Sequence, residues 1–360
     1  MSTVIKDYKI ETLSEVLPQG LSYATCAPYG NYIYIFGGYN GSSKVNTIYK
    51  FDCINKTIST LSITLPQVLW QSFCSVYNDN IYIFGGSSDS GRINTIYKFN
   101  CTTETITTLN TTLPQVLTDA SCSSHNDNIY IFGGVSNSGQ SNTIYRFNCT
   151  NETISTLSVT LPKALYGICC STYNDNIYIF GGFNSNDYKV FDTIYKFDCV
   201  NETITTLTTV LPQKLYYASC STYEDNIYIF GGYDNSNLLN TIYKFNCTTE
   251  AITTLDVTLP KKISNQCCST YNSNIYIFGG GYTNTIYNFS LSFELFKNNV
   301  LIYNANSIYS FELITNQVTI PISKIYIGDS NNTAQLANAY LYDESQTGWV
   351  NVNTGEVLTL

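Results

Sequence analysis

Thirteen thiols in this 360-residue sequence could do chemistry, and their spacing is regular. One series runs Cys26, Cys74, Cys122, Cys170, Cys220 and Cys268, and a second runs Cys53, Cys101, Cys149, Cys199 and Cys247; Cys169 and Cys267 each precede a member of the first. Thiols so placed could pair as disulfides, bind a metal as thiolates in a ring, or stay reduced as small apolar side chains. Thirteen is odd, so at least one has no partner within one chain. His125 is the only histidine, which removes every site needing two imidazoles from a single chain. It reads as a turn-flanking polar residue, because Tyr77, Tyr223 and Tyr271 occupy its equivalents. Arg92 and Arg146 are the only arginines, too few for an arginine-triad glycan hydrolase. No nucleophile–base pair or phosphate-cradling glycine loop stands out. Paired carboxylates for glycoside cleavage could still converge from separate loops, with Asp89, Asp187 and Asp234 as candidates by position. The expectation is a protein without catalytic residues, metal or cofactor.

The elements that carry these groups are copies of one unit. Ile-Tyr-Ile-Phe-Gly-Gly ends at Gly38, Gly86, Gly134, Gly182, Gly232 and Gly280, at spacings of 48, 48, 48, 50 and 48 residues. After most copies comes a variable stretch, then Asn/Asp-Thr-Ile-Tyr-Lys/Arg-Phe-Asn/Asp-Cys, as at 46–53 or 192–199, then Thr-Ile-x-Thr-Leu and a closing Leu-Pro. Each unit predicts four short strands: A (73–77 in the second copy), B (81–84, alternating and bounded by Asn-Asp-Asn and Gly-Gly turns), C (95–99) and D (105–109). Composition agrees with an all-β protein: charged residues make up 12%, tyrosines number 32, and Tyr, Ile, Thr and Val suit pleated surfaces. One such unit cannot cover both of its faces, so copies must stack. Strands A and C flank B, about 9.6 Å apart at ordinary strand spacing. A disulfide wants Cα atoms within about 7 Å. The two cysteine series therefore predict buried, reduced thiols.

The Gly-Gly doublet after an apolar strand, followed by an aromatic-x-aromatic-Asp strand, resembles the kelch repeat over residues 8–290. The resemblance implies a β-propeller. It departs from kelch units in two places: Ile58, Ile106, Ile154, Ile204 and Ile252 stand where a Trp is usual, and Asp-Cys or Asn-Cys replaces Asp-Pro. Galactose-oxidase-like enzymes share the architecture, but their copper site needs histidines this chain lacks. Residues 8–19 match a strand D, with Ile10 and Pro18 each 48 residues before Ile58 and Pro66, and the sixth unit lacks a strand D. The expectation is a six-bladed kelch-like propeller over residues 1–290, its last blade completed by 8–19, with a small C-terminal β-rich appendage over 291–360. A seven-bladed alternative lays 293–320 over a worn repeat.

Within the appendage, Lys324-Ile-Tyr-Ile-Gly-Asp-Ser-Asn-Asn-Thr-Ala-Gln-Leu-Ala, followed by Ala339-Tyr-Leu-Tyr-Asp-Glu and Gly348-Trp-Val, is similar to a short duplicated motif of phage tail and virion proteins from low-GC Gram-positive hosts. That resemblance implies a virion component, made in the host cytoplasm, whose residues 291–360 dock to other virion proteins or to a second copy as a homo-oligomer. The Asn/Ile/Lys/Tyr-rich vocabulary also fits an AT-rich eukaryote or an amoebal virus, where the propeller would be an intracellular, cytoplasmic kelch scaffold or adaptor. Net charge is −9 and the basic residues are scattered, which argues against nucleic acid. No stretch reaches the ~18 apolar residues of a membrane span. The start, Met1 to Asp7, lacks the apolar core of a secretory signal. Sequons at Asn55, Asn110, Asn151 and Asn201 read as turn chemistry.

Comparing the copies separates scaffold from site. The A–B turns hardly vary, whereas the B–C loops differ in length and content, and in a four-stranded meander the B–C and D–A loops share one face. Loops that differ blade by blade make an asymmetric surface on a symmetric scaffold. That face gathers Tyr39, Phe183, Tyr188, Tyr233 and Tyr282 from B–C loops and Trp70, Tyr166, Tyr216 and Tyr217 near D–A turns, with Asp89, Arg92, Asp187 and Asp234 among them. Flat rings beside hydrogen-bonding groups suit a protein hot spot or a sugar. The function read from the sequence is a non-enzymatic module that binds a protein and/or a bacterial surface glycan through this face, as a phage tail fibre or surface protein would in attaching to a host receptor.

Overall fold

A computed structural model of the chain describes residues 2–297, 300–305, 311–315, 318–322, 325–326, 340–343, 348–351 and 357–358. Every regular element among them is a strand. The chain divides into two units, residues 10–288 and residues 1–9 with 289–360.

In the first unit, strand A of the six blades runs Thr25–Tyr29, Phe73–Tyr77, Ser121–His125, Cys169–Tyr173, Ser219–Tyr223 and Cys267–Tyr271. In blade 2, Phe73–Tyr77, Asn80–Phe84, Thr95–Asn100 and Thr105–Thr112 pair antiparallel in that order. A bulge between Thr95 and Tyr97 recurs in blades 1, 3 and 4 and adds local twist. The outer strand D alternates exposed and half-buried residues. Strand B does not alternate: Ile81, Tyr82, Ile83 and Phe84 are all essentially buried, because a neighbouring blade covers each face. Ile81 and Ile83 pack toward blade 1, and Tyr82 and Phe84 meet Phe147 of blade 3 with ring centroids at 5.0 and 5.4 Å.

The tyrosines join blades. Tyr82 Oη donates to the Cys149 carbonyl at 3.4 Å, and Tyr34, Tyr130 and Tyr178 do the same to Cys101, Cys199 and Cys247. Beside them Lys50–Glu104, Lys98–Glu152, Arg146–Glu202 and Lys196–Glu250 pair across the boundary at 2.6–2.8 Å. These half-exposed pairs fix register more than they add stability. The Gly-Gly doublet serves the same boundary. A Cβ on Gly37 would sit 2.2 Å from the Leu69 carbonyl, and the Gly38 N–H donates to that carbonyl at 2.8 Å.

Closure reuses the ring, tyrosine and glycine contacts, with Asn288 standing where the ion-pairing Lys50 does in blade 1. The N-terminal strand Ser2–Thr12 pairs with Ile286–Lys297, so the sixth blade takes its outer strand from the start of the chain, as residues 8–19 predict. Tyr276 and Phe278 meet Phe51 at 4.9 and 5.3 Å, Tyr276 Oη donates to the Cys53 carbonyl, and Gly280 N donates to Leu21 O at 2.8 Å. Strand A of blade 6 packs on strand A of blade 1. The seven-bladed alternative is therefore overturned, because the sixth blade meets the first with no space between them. Described residues within 293–320 pair otherwise, Phe293 to Lys297 with Val300–Ala305 and Phe311–Thr315 with Val318–Ile322. The second unit also holds a four-stranded sheet of Ile325–Tyr326, Tyr340–Asp343, Gly348–Asn351 and Val357–Leu358. Much of the phage-like motif, residues 327–339 and 344–347, lies outside the described residues. Of the sequons, Asn110 sits within a strand, not a turn.

Leu17 and Leu65 are equivalent, fully buried, and each donates its N–H at 2.8 Å to the start of strand C in its blade. Leu17→Ala and Leu65→Ala should each cost about 2–5 kcal/mol, as buried Leu truncations do. Matching losses in denaturant melts are expected; a much smaller loss for Leu17→Ala would show that the N-terminal segment frays.

Candidate functional site

The B–C and D–A segments meet around the axis. Five of the six D–A segments form a bridge to the B–C loop of their own blade: Ser22 to Tyr39, Trp70 to Ser87, Thr118 to Val135, Tyr166 to Phe183, Tyr216 to Tyr233. The next residue of each segment belongs to a closed circle. Tyr23 N donates to Asn265 O, Gln71 N to Tyr23 O, Asp119 N to Gln71 O, Gly167 N to Asp119 O, Tyr217 N to Gly167 O and Asn265 N to Tyr217 O, all at 2.7–3.1 Å. All six have φ between 53° and 63°. That left-handed conformation costs a non-glycine residue roughly 1–2 kcal/mol, and the circle of hydrogen bonds offsets it.

The rings gathered by the sequence form one network. Tyr282 contacts Tyr39 (5.8 Å between centroids) and Tyr39 contacts Trp70 (5.4 Å). Across the axis Tyr217 contacts Tyr216 and Tyr166, Phe183 stacks on Tyr216 at 5.2 Å, and Tyr233 meets Tyr216 at 5.5 Å. Tyr23, which the sequence reading missed, joins the halves, 5.1 Å from Trp70 and 5.6 Å from Tyr217. Position 23 heads a column, 48 residues before Gln71, whose letters differ in nearly every copy; that difference was the available signal. Most of these rings are half-buried against one another, and Phe183 is only 9% exposed. Tyr188, 80% exposed at a hairpin tip, stands apart from the network, with Asp187 beside it.

Blade 3 carries Thr118 and Val135 where the other bridges bring at least one aromatic ring or Ser87, and a cavity of about 330 Å³ opens there between Arg92, Asp119, Gln140, Tyr166 and Tyr217. Asp119 is the only carboxylate of its lining. Asp89 is 3.7 Å from Lys44 at the rim, and Asp234 is occupied by Gln213 Nε2 and the N–H groups of Ser236 and Asn237 at 2.6–2.8 Å. Asp89, Asp187 and Asp234 therefore do not come together in this cavity as paired carboxylates. Burial pushes the Asp119 carboxyl up to about 7, against hydrogen bonds from Tyr217, Thr118 and Gln71 and the charge of Arg92. Burial and then Asp119 push Tyr23 up to about 12 and raise Tyr217 further.

The opposite face is uniform. Tyr29, Tyr77 and Tyr173 each donate to an aspartate of the next blade's A–B turn (Asp79, Asp127, Asp225) at 2.7–2.9 Å, and His125 Nε2 meets Asp175 at 2.9 Å in the same way. All thirteen cysteines are free thiols. Burial pushes Cys53, Cys74, Cys101, Cys149, Cys170, Cys199 and Cys247 up to about 12, so these are protonated at neutral pH. Among the described residues no cluster of His, Cys, Asp or Glu could hold a metal ion.

Six four-stranded blades closed in a circle, uniform on one face and individual on the other, define a β-propeller of the binding-scaffold type. The KLHDC2/KLHL20/DRC7 Kelch-repeats domain model matches residues 24–165, 119–300 and 167–358, and the chain belongs to that kelch-repeat family. Kelch-repeat propellers are generally non-enzymatic scaffolds, and they typically bind proteins. No curated protein matches the chain. Among the described residues no helix is long and apolar enough to cross a membrane.

Asp119 rises from an ordinary 3.8 to about 7 on folding, so it contributes stability that is complete below pH 4 and is lost as pH rises through about 7. Asp119→Asn, neutral at every pH, should therefore melt several degrees above the wild type at pH 8 and close to it at pH 4. Equal shifts at both pH values would show a solvated carboxyl.

Proposed function

We propose that the chain is a non-enzymatic binding module that seats a protein partner on the B–C and D–A face of its propeller. The continuous aromatic network, drawn from blades 1, 2, 4, 5 and 6, supports this reading. Rings held by one another lose little freedom on binding, which is the property of an interface hot spot. A bacterial surface glycan is the other ligand such rings suit.

Two settings are proposed, each with its own support. An intracellular adaptor is favoured by the family match and by thirteen reduced thiols, most of them buried, as a reducing compartment keeps them. A virion component, attaching through 291–360 to other virion proteins or to its own copies, is supported by the motif at 324–350. Deleting 291–360 distinguishes them: loss of incorporation into particles is expected for the virion component, while unchanged partner binding and no particle association favours the adaptor.

For the face itself, Trp70→Ala with Tyr216→Ala should weaken capture of the native partner at least about tenfold. Val200→Ser, at an exposed position in a C–D turn, should leave it unchanged. Capture that survives the double variant, in protein with a normal melt, would remove the face from the interaction.

A further inference from the structure

We propose that the axial mouth of the propeller is an ammonium site, taking a lysine side chain presented by the partner beside the rings of Tyr23 and Tyr217, with Asp119 as counter-charge. The inference deepens the binding-module reading and rests on it for the source of the lysine.

A cavity of about 120 Å³ lies on the axis, inside the circle of left-handed residues. Alanines and a glycine at 24, 120, 167 and 218 leave it open, and its polar lining has a bias toward acceptors. Gln266 is 6% exposed; its Nε2 donates to Phe230 O at 2.7 Å, and its Oε1 has no protein partner. Asn265 spends its Nδ2 on Ser264 Oγ at 2.9 Å, and its Oδ1 likewise has none. Ser72 Oγ is a third buried atom without a partner. Buried acceptors of this kind need donors. The six backbone N–H groups around the mouth are all spent within the circle, so none is available to an anion. A compact group with three donors and no acceptor, a primary ammonium, matches that array.

Charge points the same way. Asp119 is the only charged residue of the axial lining. The titratable and charged groups that face it are Tyr23, Tyr166, Tyr217 and Arg92. Arg92 is exposed and lines the neighbouring cavity, not the axial one. The tyrosines set their rings near edge-to-face at 87°, and a ring face attracts a cation within about 6 Å. A cation on the axis would stabilise the ionised form of Asp119, so affinity should rise with pH up to about 7 and then level off.

The test titrates Nα-acetyl-lysine N-methylamide into the full-length chain by ligand-observed NMR, with the norleucine analogue, which lacks only the ammonium, as control. Saturable binding at pH 8 is expected, at least tenfold weaker for the norleucine analogue, for Asp119→Asn and at pH 5. Arg92→Gln, which removes a competing cation, should bind the lysine amide equally or more tightly. Equal binding of the two amides would mark an apolar slot, and loss of binding in Arg92→Gln would mark an anion-seeking site; either overturns the proposal. So does the absence of saturable lysine binding in wild-type protein. If that occurs while Trp70→Ala with Tyr216→Ala still abolishes partner capture, the binding-module reading stands and only the ammonium site falls. Lysine amide binding together with unaffected partner capture in the double variant would do the opposite, keeping the ammonium site and removing the aromatic face from partner capture.

Discussion

The hydrogen bond from the second glycine of each doublet to the D–A segment of the next blade is the contact on which the architecture turns. Gly38 to Leu69, Gly86 to Leu117, Gly134 to Leu165, Gly182 to Leu215, Gly232 to Ile263 and Gly280 to Leu21 form a complete set at 2.8–2.9 Å. The first glycine of each pair lacks a Cβ at the point where the carbonyl arrives. The last member requires the start of the chain to behave as an internal D–A segment. Burial, aromatic contacts and ion pairs then accumulate on a geometry that the backbone has already imposed. Joining residues this far apart in sequence is entropically unfavourable until the circle is complete, so partial rings gain little.

The same logic separates support from recognition at the axis. The circle through Tyr23, Gln71, Asp119, Gly167, Tyr217 and Asn265 is made by main-chain groups alone. Its side chains are therefore not needed to close the circle, and they differ almost completely. Asp119 is the extreme case: a carboxyl in a tyrosine-lined mouth, held near neutrality by burial even though three donors approach it. An acid poised to titrate near neutral pH beside acceptors without partners is an arrangement that a symmetric, purely structural channel has no reason to keep.

Much of this was legible in the sequence. The 48-residue period gave the blade count, and the match of residues 8–19 to strand D gave the closure, because repetition exposes what each copy lacks. The loop face was legible for the same reason in reverse. Individual roles were not. Phe183 and Tyr188 look alike as loop aromatics, yet one is buried beneath Tyr216 and the other projects outward, a difference set by hairpin geometry across five residues. Asp234 has the look of a free surface acid but caps its own turn. Tyr23 and Asp119 are hard to single out because they sit beside the repeated strand A, where neighbours in sequence are scaffold.

A repeat array of this kind is also a text that can be edited by recombination between its own units. Exchange of one unit for another would leave the fold's glycine contacts intact, since every copy supplies the same doublet, while substituting a single letter at the axis. Adding or losing a whole unit would instead break a circle whose size is fixed by its geometry. Descent by exchange at constant number is thus the route by which such a chain could change what it grips without ceasing to close.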